Sequence, residues 1–230
     1  MSSPKQSEKA ALHTLGADED NFVFEVVVSA CDAAGKPNAA PMGIRLVDDK
    51  KGRKRILIRP FKSTATHKNL SLQREAVVNV TSDPEIFYRT TFKRELLREG
   101  ETKTVFSTSK TVRPPRVKGC DAYIEVSVSS LTDTEGEENR SDALCDLKLV
   151  EVKRSGAKLY CRAPYILMET MIHATRVREF VSQGLKNEAV ELMKLIDNYR
   201  KLIHRVAPGS RYETMTNEIV DTLTGRRREA

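Results

Sequence analysis

Within five residues, Lys62-Ser63-Thr64-Ala65-Thr66 gathers one cation and three hydroxyls. Just before it, the apolar stretch Arg55-Ile56-Leu57-Ile58-Arg59 stops at Pro60. Just after it, a short amphipathic segment over Thr66 to Gln73 leads into Glu75-Ala76-Val77-Val78-Asn79-Val80. The pattern predicts a strand, an elbow, a short helix and a second strand. A helix start carries unpaired amide N–H groups and a partial positive charge, so it favours an anion. Ser63, Thr64 and Thr66 can donate to phosphate oxygens and Lys62 supplies a full charge. Arg45 and Arg59, on neighbouring strands, converge on the elbow if those strands close a barrel. The same residues also suit an ordinary serine or threonine N-cap beside a surface lysine. From the residues alone both readings stand.

Other chemistry-bearing side chains point less sharply. Glu169, His173 and Arg176 recur at i, i+4 and i+7, which places them on one side of a helix. Pairing among themselves accounts for them, and no second acid–histidine element completes a ligand set, so no metal is expected. There is no G-x-S-x-G, no H-E-x-x-H and no glycine-rich phosphate loop, so hydrolase chemistry finds no support. The four cysteines, Cys31, Cys120, Cys145 and Cys161, form no C-x-x-C pair, which argues against a zinc ribbon or a disulfide framework.

The bulk composition fits a protein with a real core: 230 residues, 39% hydrophobic and 31% charged. No apolar run approaches the ~20 residues that span a bilayer. The start of the chain lacks the basic-then-apolar order of a secretion signal, so a cytoplasmic location is expected. A net charge of +7 raises the question of nucleic acid. The basic residues cluster in Lys50 to Arg55, Arg113 to Lys118 and Arg226 to Arg228, without interleaved aromatic rings for bases to stack on. They read as solvated turns and a loose tail, and no nucleic-acid or membrane partner is expected.

These residues need elements to hold them. Residues 1–18 are polar and aperiodic, a mobile lead-in. Alternating apolar runs predict strands from Asn21, over Ala39 to Val47, Arg55 to Arg59 and Glu75 to Thr81, then Ala122 to Leu131 and Leu144 to Val152. Asp83-Pro84-Glu85 opens a helix, and residues 100–119 read as a long connection or peripheral strand. Thr132 to Asp142 reads as an acidic polar loop. From Pro164 the period turns helical, with a second helix over Leu185 to Ile203. A third starts at the capping box Ser210-Arg211-Tyr212-Glu213, with Tyr212, Met215, Ile219 and Leu223 as its apolar stripe. The fold class is α+β: a lead over 1–18, an antiparallel barrel over 19–158 and a helical segment over 159–230.

Thr66-x-x-Asn69-Leu70 followed by Glu75-Ala76-Val77-Val78-Asn79 resembles the flavin-binding split barrels, the superfamily of flavin reductases and pyridoxamine phosphate oxidase-like proteins. Within that superfamily the chain is similar to domain-of-unknown-function family 447. The likeness extends to Ala40-Pro41-Met42-Gly43-Ile44, to Val78-Asn79-Val80-Thr81-x-Asp83-Pro84 and to Glu169-x-x-x-His173-Ala174-Thr175-Arg176. The resemblance implies a split barrel, working as a homodimer, that binds FMN and acts as an oxidoreductase on a small molecule. A dimeric module that binds without catalysis and without flavin is the alternative. By the same likeness Lys62, Ser63, Thr64 and Thr66 would hold the FMN phosphate, with Arg45 and Arg59 beside it. Asn69 would fix the helix or approach the ribityl chain, and Met42, Gly43 and Ile44 would lie along the isoalloxazine. One departure is Ala65, where flavin reductases carry a charged residue, so Lys62 or Arg59 would have to compensate. No side chain stands out as a catalytic residue.

Overall fold

The computed structural model describes residues 10–17, 21–93 and 104–225. Two compact units divide the chain. One holds Phe24–Tyr160 with the residues before Asn21, and the other holds Asn21–Val23 with everything from Cys161.

In the first unit the strands are β1 (Phe24–Cys31), β2 (Pro37–Asp48), β3 (Lys54–Ile58), β4 (Glu75–Val80), β5 (Phe106–Ser107), β6 (Arg116–Val117), β7 (Ala122–Thr134) and β8 (Glu137–Val152). Six of them close an antiparallel barrel in the order β1-β2-β3-β8-β7-β4, and β5 pairs only with β6. The α+β barrel expected from the sequence is the fold observed. Period-two alternation makes it close. Phe24, Ile44, Ile58 and Ala143 stand opposite one another across successive strands, as do Val28, Val78 and Ile124, and all are buried. In so small a barrel these side chains fill the interior.

The other face of β1, β4 and β7 is buried as well. Val27, Val77 and Tyr123 pack with Ala39, Val117 and Cys120 under Ile86 and Phe87. Against the barrel lie α1 (Ala65–Gln73), discussed below, and α2 (Pro84–Thr91), which carries those two residues and is capped by the Asp83 carboxylate accepting from Glu85 N at 2.9 Å.

Two expectations give way here. Thr132 to Asp142 is no loop: β7 and β8 run on as a hairpin that turns at Glu135-Gly136, with Gly136 at φ 74. Its residues are acidic and polar because this arm projects past the core, so hydropathy carries no strand signal there. The lead-in is ordered over residues 10–17, with a helical turn over 10–14. Leu12 and Leu15 are buried, and Leu159 N donates to Leu15 O at 2.9 Å. Residues 1–9 and 18 and the Arg226 to Arg228 tail lie outside the described residues.

The second unit is three helices: α3 (Ala163–Ser182), α4 (Lys186–Val206) and α5 (Arg211–Leu223). Ala174, Val177, Ala189 and Ile196 form its core, with Ile219, Val220 and Leu223 against them. The expected stripe of α5 holds at Tyr212, Ile219 and Leu223 and fails at Met215. Met215 is 46% exposed while Thr216 is buried, its hydroxyl satisfied by Tyr212 O at 2.8 Å. The Ser210 cap holds, but Glu213 reaches back to Gly209 N at 2.6 Å rather than to Ser210. His173 lies 3.8 Å from Glu169 and stacks on Tyr199, whereas Arg176 is exposed. Among the described residues no helix is long and apolar enough to cross a membrane.

The peripheral segment over 104–119 is fastened to the barrel by buried polar groups. Glu125, fully buried on the outer face of β7, accepts from Lys110 N, Thr111 N, the Thr111 hydroxyl and Arg116 Nε at 2.6–2.8 Å. Arg116 also donates to Glu151 at 2.7 Å. Asn79 Oδ1 accepts from Val117 N at 2.7 Å, and the Ser29 hydroxyl donates to Pro115 O at 2.5 Å. Burial pushes the Glu125 carboxyl up, but the Thr111 hydroxyl, the two amides and Arg116 outweigh it and hold it below the usual carboxylate range. The Lys153 ammonium, with Lys110 and Arg116, holds Glu151 at about 2. Both groups bind fewer protons folded than unfolded, so their stabilisation is complete above the ordinary glutamate range and fades as pH falls towards 2. Glu125→Gln, which leaves the buried Arg116 with Glu151 as its one remaining carboxylate partner, should lower urea stability by about 3 kcal/mol at neutral pH. It should also flatten the acid limb of the stability curve.

Candidate functional site

β3 cannot continue past Pro60, which has no amide proton to give the ladder. The chain turns over the β7–β8 arm instead. Phe61 bridges Arg140 and Ser141 N donates to Pro60 O at 3.2 Å, while Lys62 N donates to Asn139 O at 2.9 Å. Arg140 lies over the Phe61 ring at 3.9 Å. Thr64, in extended backbone, is the N-cap of α1: its hydroxyl accepts from His67 N at 3.2 Å and donates to Phe61 O at 2.7 Å. The capping reading of the elbow is therefore correct for Thr64.

The cap leaves part of the turn open. No acceptor among the described residues meets the amides of Ser63, Ala65 and Thr66. Asn69, one turn further along α1, is only 5% exposed, and its side-chain amide has no partner among the described residues. That amide is not among the buried side-chain atoms that lack a partner, so it keeps some contact with solvent. Thr66 is deeper still, 1% exposed, with its oxygen accepting from Asn38 Nδ2 at 3.0 Å.

The cations at the rim are already in ion pairs. Lys62 Nζ meets Asp133 at 2.7 Å and Arg59 meets Asp142 at 2.9 Å. Arg45 faces outward one step diagonally from Arg59, since its register partner is Leu57. Burial, and then the charge of Arg59, lowers its pKa. His67 Nε2 lies 3.1 Å from the Ser141 hydroxyl.

Met42 and Gly43 occupy a stretch of β2 that pairs with β1 only, because β3 joins β2 from Ile44 onward. That edge keeps main-chain groups without a strand partner. Ile44 differs: its side chain is 1% exposed, inside the barrel, so only its backbone can face a ligand. Arg59, Lys62, Ser63, Thr64, Thr66 and Asn69 thus fall on one elbow, Arg45 beside it and Met42-Gly43 on the neighbouring edge. Sequence reasoning missed Asn38, Asp133, Ser141 and Asp142. Asn38 lies 28 residues from Thr66 and Ser141 lies 74 from His67, and no local pattern marks them.

No curated protein matches the chain. Among solved structures, an FMN-bound protein from Methanosarcina mazei is 21% identical and aligns over 92% of this chain and 99% of its own, with a TM-score of 0.49. A 2-nitrobenzoate 2-nitroreductase from Pseudomonas fluorescens is 18% identical over 64% of this chain and 71% of its own, with a TM-score of 0.47. Nitrilotriacetate monooxygenase component B from Bacillus cereus is 15% identical over 67% and 81%, with a TM-score of 0.48. The family model for the N-terminal domain of the proteins of unknown function DUF447 matches residues 24–154, from the first residue of β1 to just past the end of β8, and the chain belongs to that family.

Proposed function

We propose that this chain binds FMN, with the flavin phosphate on the elbow, and serves as an oxidoreductase on a small molecule. The observation that carries this reading is the set of unmet donors at one turn, the backbone amides of Ser63, Ala65 and Thr66. A dianionic phosphate is an acceptor on every side, and a helix start with open amides is built for one. Lys62 and Arg59 stand within reach of the same turn. The chain shares its family with the FMN-bound Methanosarcina mazei protein. Bound flavin would supply the electron transfer, while the protein holds and orients it. The open β2 edge at Met42-Gly43 offers main-chain groups to the polar rim of the ring. As the family resemblance implies, the unit works as a homodimer, which sedimentation equilibrium checks directly.

Two variants separate a phosphate cradle from a mere helix start. Ala65 is the first residue of α1, its side chain is exposed, and Thr64 before it has φ −91 and ψ 152. Proline fits that position without strain, so Ala65→Pro should leave the melting temperature unchanged or slightly higher. It deletes one open amide, and FMN affinity should fall about tenfold, the worth of one hydrogen bond to a charged group. Lys62→Ala should weaken binding by a similar factor and make it less sensitive to salt. Fluorescence quenching of titrated FMN reads both. Wild-type affinity in Ala65→Pro would remove the phosphate from the elbow, and a wild-type chain that ignores FMN would leave the binding module without flavin.

A further inference from the structure

Two residues outside the elbow reach its first helical turn. Lys93 Nζ donates to Asn38 Oδ1 at 2.6 Å and to Ala39 O at 2.9 Å, and Asn38 Nδ2 donates to Thr66 Oγ1 at 3.0 Å. An ammonium group has protons to give and no lone pair to offer. It therefore takes the oxygen end of the Asn38 amide and leaves the nitrogen end for Thr66. The Thr66 oxygen must then accept, and a hydroxyl that accepts keeps its own proton to donate. Three buried helical threonines, Thr90, Thr170 and Thr216, discharge that proton on the carbonyl four residues back, whereas Thr81, just after β4, accepts from Asp83 N and has no acceptor among the described residues. Thr66, though helical, does not discharge it so, and no other acceptor for it stands among the described residues. At 1% exposure it is also shielded from bulk water. Asn69, three residues on and so on the same side of α1, is 5% exposed, and its side-chain amide has no protein partner among the described residues.

We infer that Lys93 and Asn38 are positioning residues that hold Thr66 as a donor, so that the inner wall of the elbow selects an oxyanion. This assignment rests on the phosphate site proposed above and goes further, naming the residues that set its hydrogen-bond polarity. The Asn38 amide occupies one of the two Thr66 lone pairs, so the contact that remains strongest for a ligand is the hydroxyl proton.

Asn38→Asp tests it. The new carboxylate matches asparagine in shape and can still meet Lys93, but it has no proton to give. Thr66 then donates to it, and the proton is withdrawn from the elbow. Two ligands are titrated separately: inorganic phosphate, read by thermal stabilisation, and FMN, read by fluorescence. Affinity for both should fall about tenfold in Asn38→Asp. Thr66→Val should cost about as much, and Thr66→Ser should restore most of it. The double variant Asn38→Asp with Thr66→Val should bind no more weakly than the worse single variant, because both remove one proton. A purely structural role for Asn38 would instead give additive losses that Thr66→Ser does not separate, and that result overturns the proposal. Lys93→Met, at a half-buried position, gives a second approach. It frees the Asn38 amide to rotate and should weaken phosphate about threefold, and unchanged affinity would count against the relay. If phosphate binds and FMN does not, with the Asn38 effect intact, the relay stands and the flavin reading falls. If the wild-type chain binds neither, both fall.

Discussion

A six-stranded barrel has no room inside. Val26, Val28, Ile56, Ile58, Val78, Ile124 and Cys145 are fully buried in it, and close packing leaves no space that water or a ligand could share. That constraint sorts every polar residue of the unit. Groups able to bind or donate must sit on the outer face or at the rim, where strands end and turns begin. On the outer face of β4 and β7 they are covered by the segment over 104–119, and Glu125, Arg116 and Asn79 spend their hydrogen bonds fastening that cover. At the rim beyond β3 nothing comparable among the described residues covers the first turn of α1. The fold has one polar face committed to structure and one left with donors to offer.

The two kinds of ion pair differ in the same sense. Arg116 and Glu125 are 5% and 0% exposed, so neither can leave the other without stranding a charge in a dry environment. Lys62 and Asp133 are 36% and 79% exposed. A pair so open contributes about 0–1 kcal/mol and exchanges readily for a better partner. The β7–β8 arm therefore does two jobs. Its backbone fixes the path of the elbow through Asn139 and Ser141, and two of its acids, Asp133 and Asp142, pair with Lys62 and Arg59. The acidity of the arm is also what disguised it as a loop.

Most of the barrel was legible in the residues because burial imposes a period. Phe24, Val26 and Val28, or Ala76, Val78 and Val80, must alternate with outward residues if the barrel is to close, and the alternation is written in the chain. The elbow was legible for a different reason, since proline, hydroxyls and a lysine in a row have few structural uses. What could not be read is whatever depends on residues far apart meeting. The Asn38 contact with Thr66, the Lys93 contact with Asn38 and the Ser141 contact with His67 are products of the register, and no window of sequence contains both partners. The Met215 position failed more simply. A spacing of three or four admits either residue 215 or residue 216 between Tyr212 and Ile219, and the helix buries Thr216, made tolerable by its bond to Tyr212 O.

The composition of α1 bears on its purpose. A helix of nine residues is marginal by itself, so its stability has to come from its ends and its buried face. The ends are provided for: Thr64 caps the start, and Arg74, in the left-handed region at φ 57, lets the chain drop straight into β4. The buried face is the unexpected part. Only Thr66, Asn69 and Leu70 are buried, two of them polar. A helix that merely linked β3 to β4 would gain more by burying leucine or valine at those places, since burying a polar group costs free energy unless it is hydrogen-bonded. Thr66 is bonded to Asn38, and the Asn69 side-chain amide has no protein partner among the described residues. The open amides of the same turn and the exposed cations at its lip suit a compact, acceptor-rich anion, which is the group the proposed site would hold.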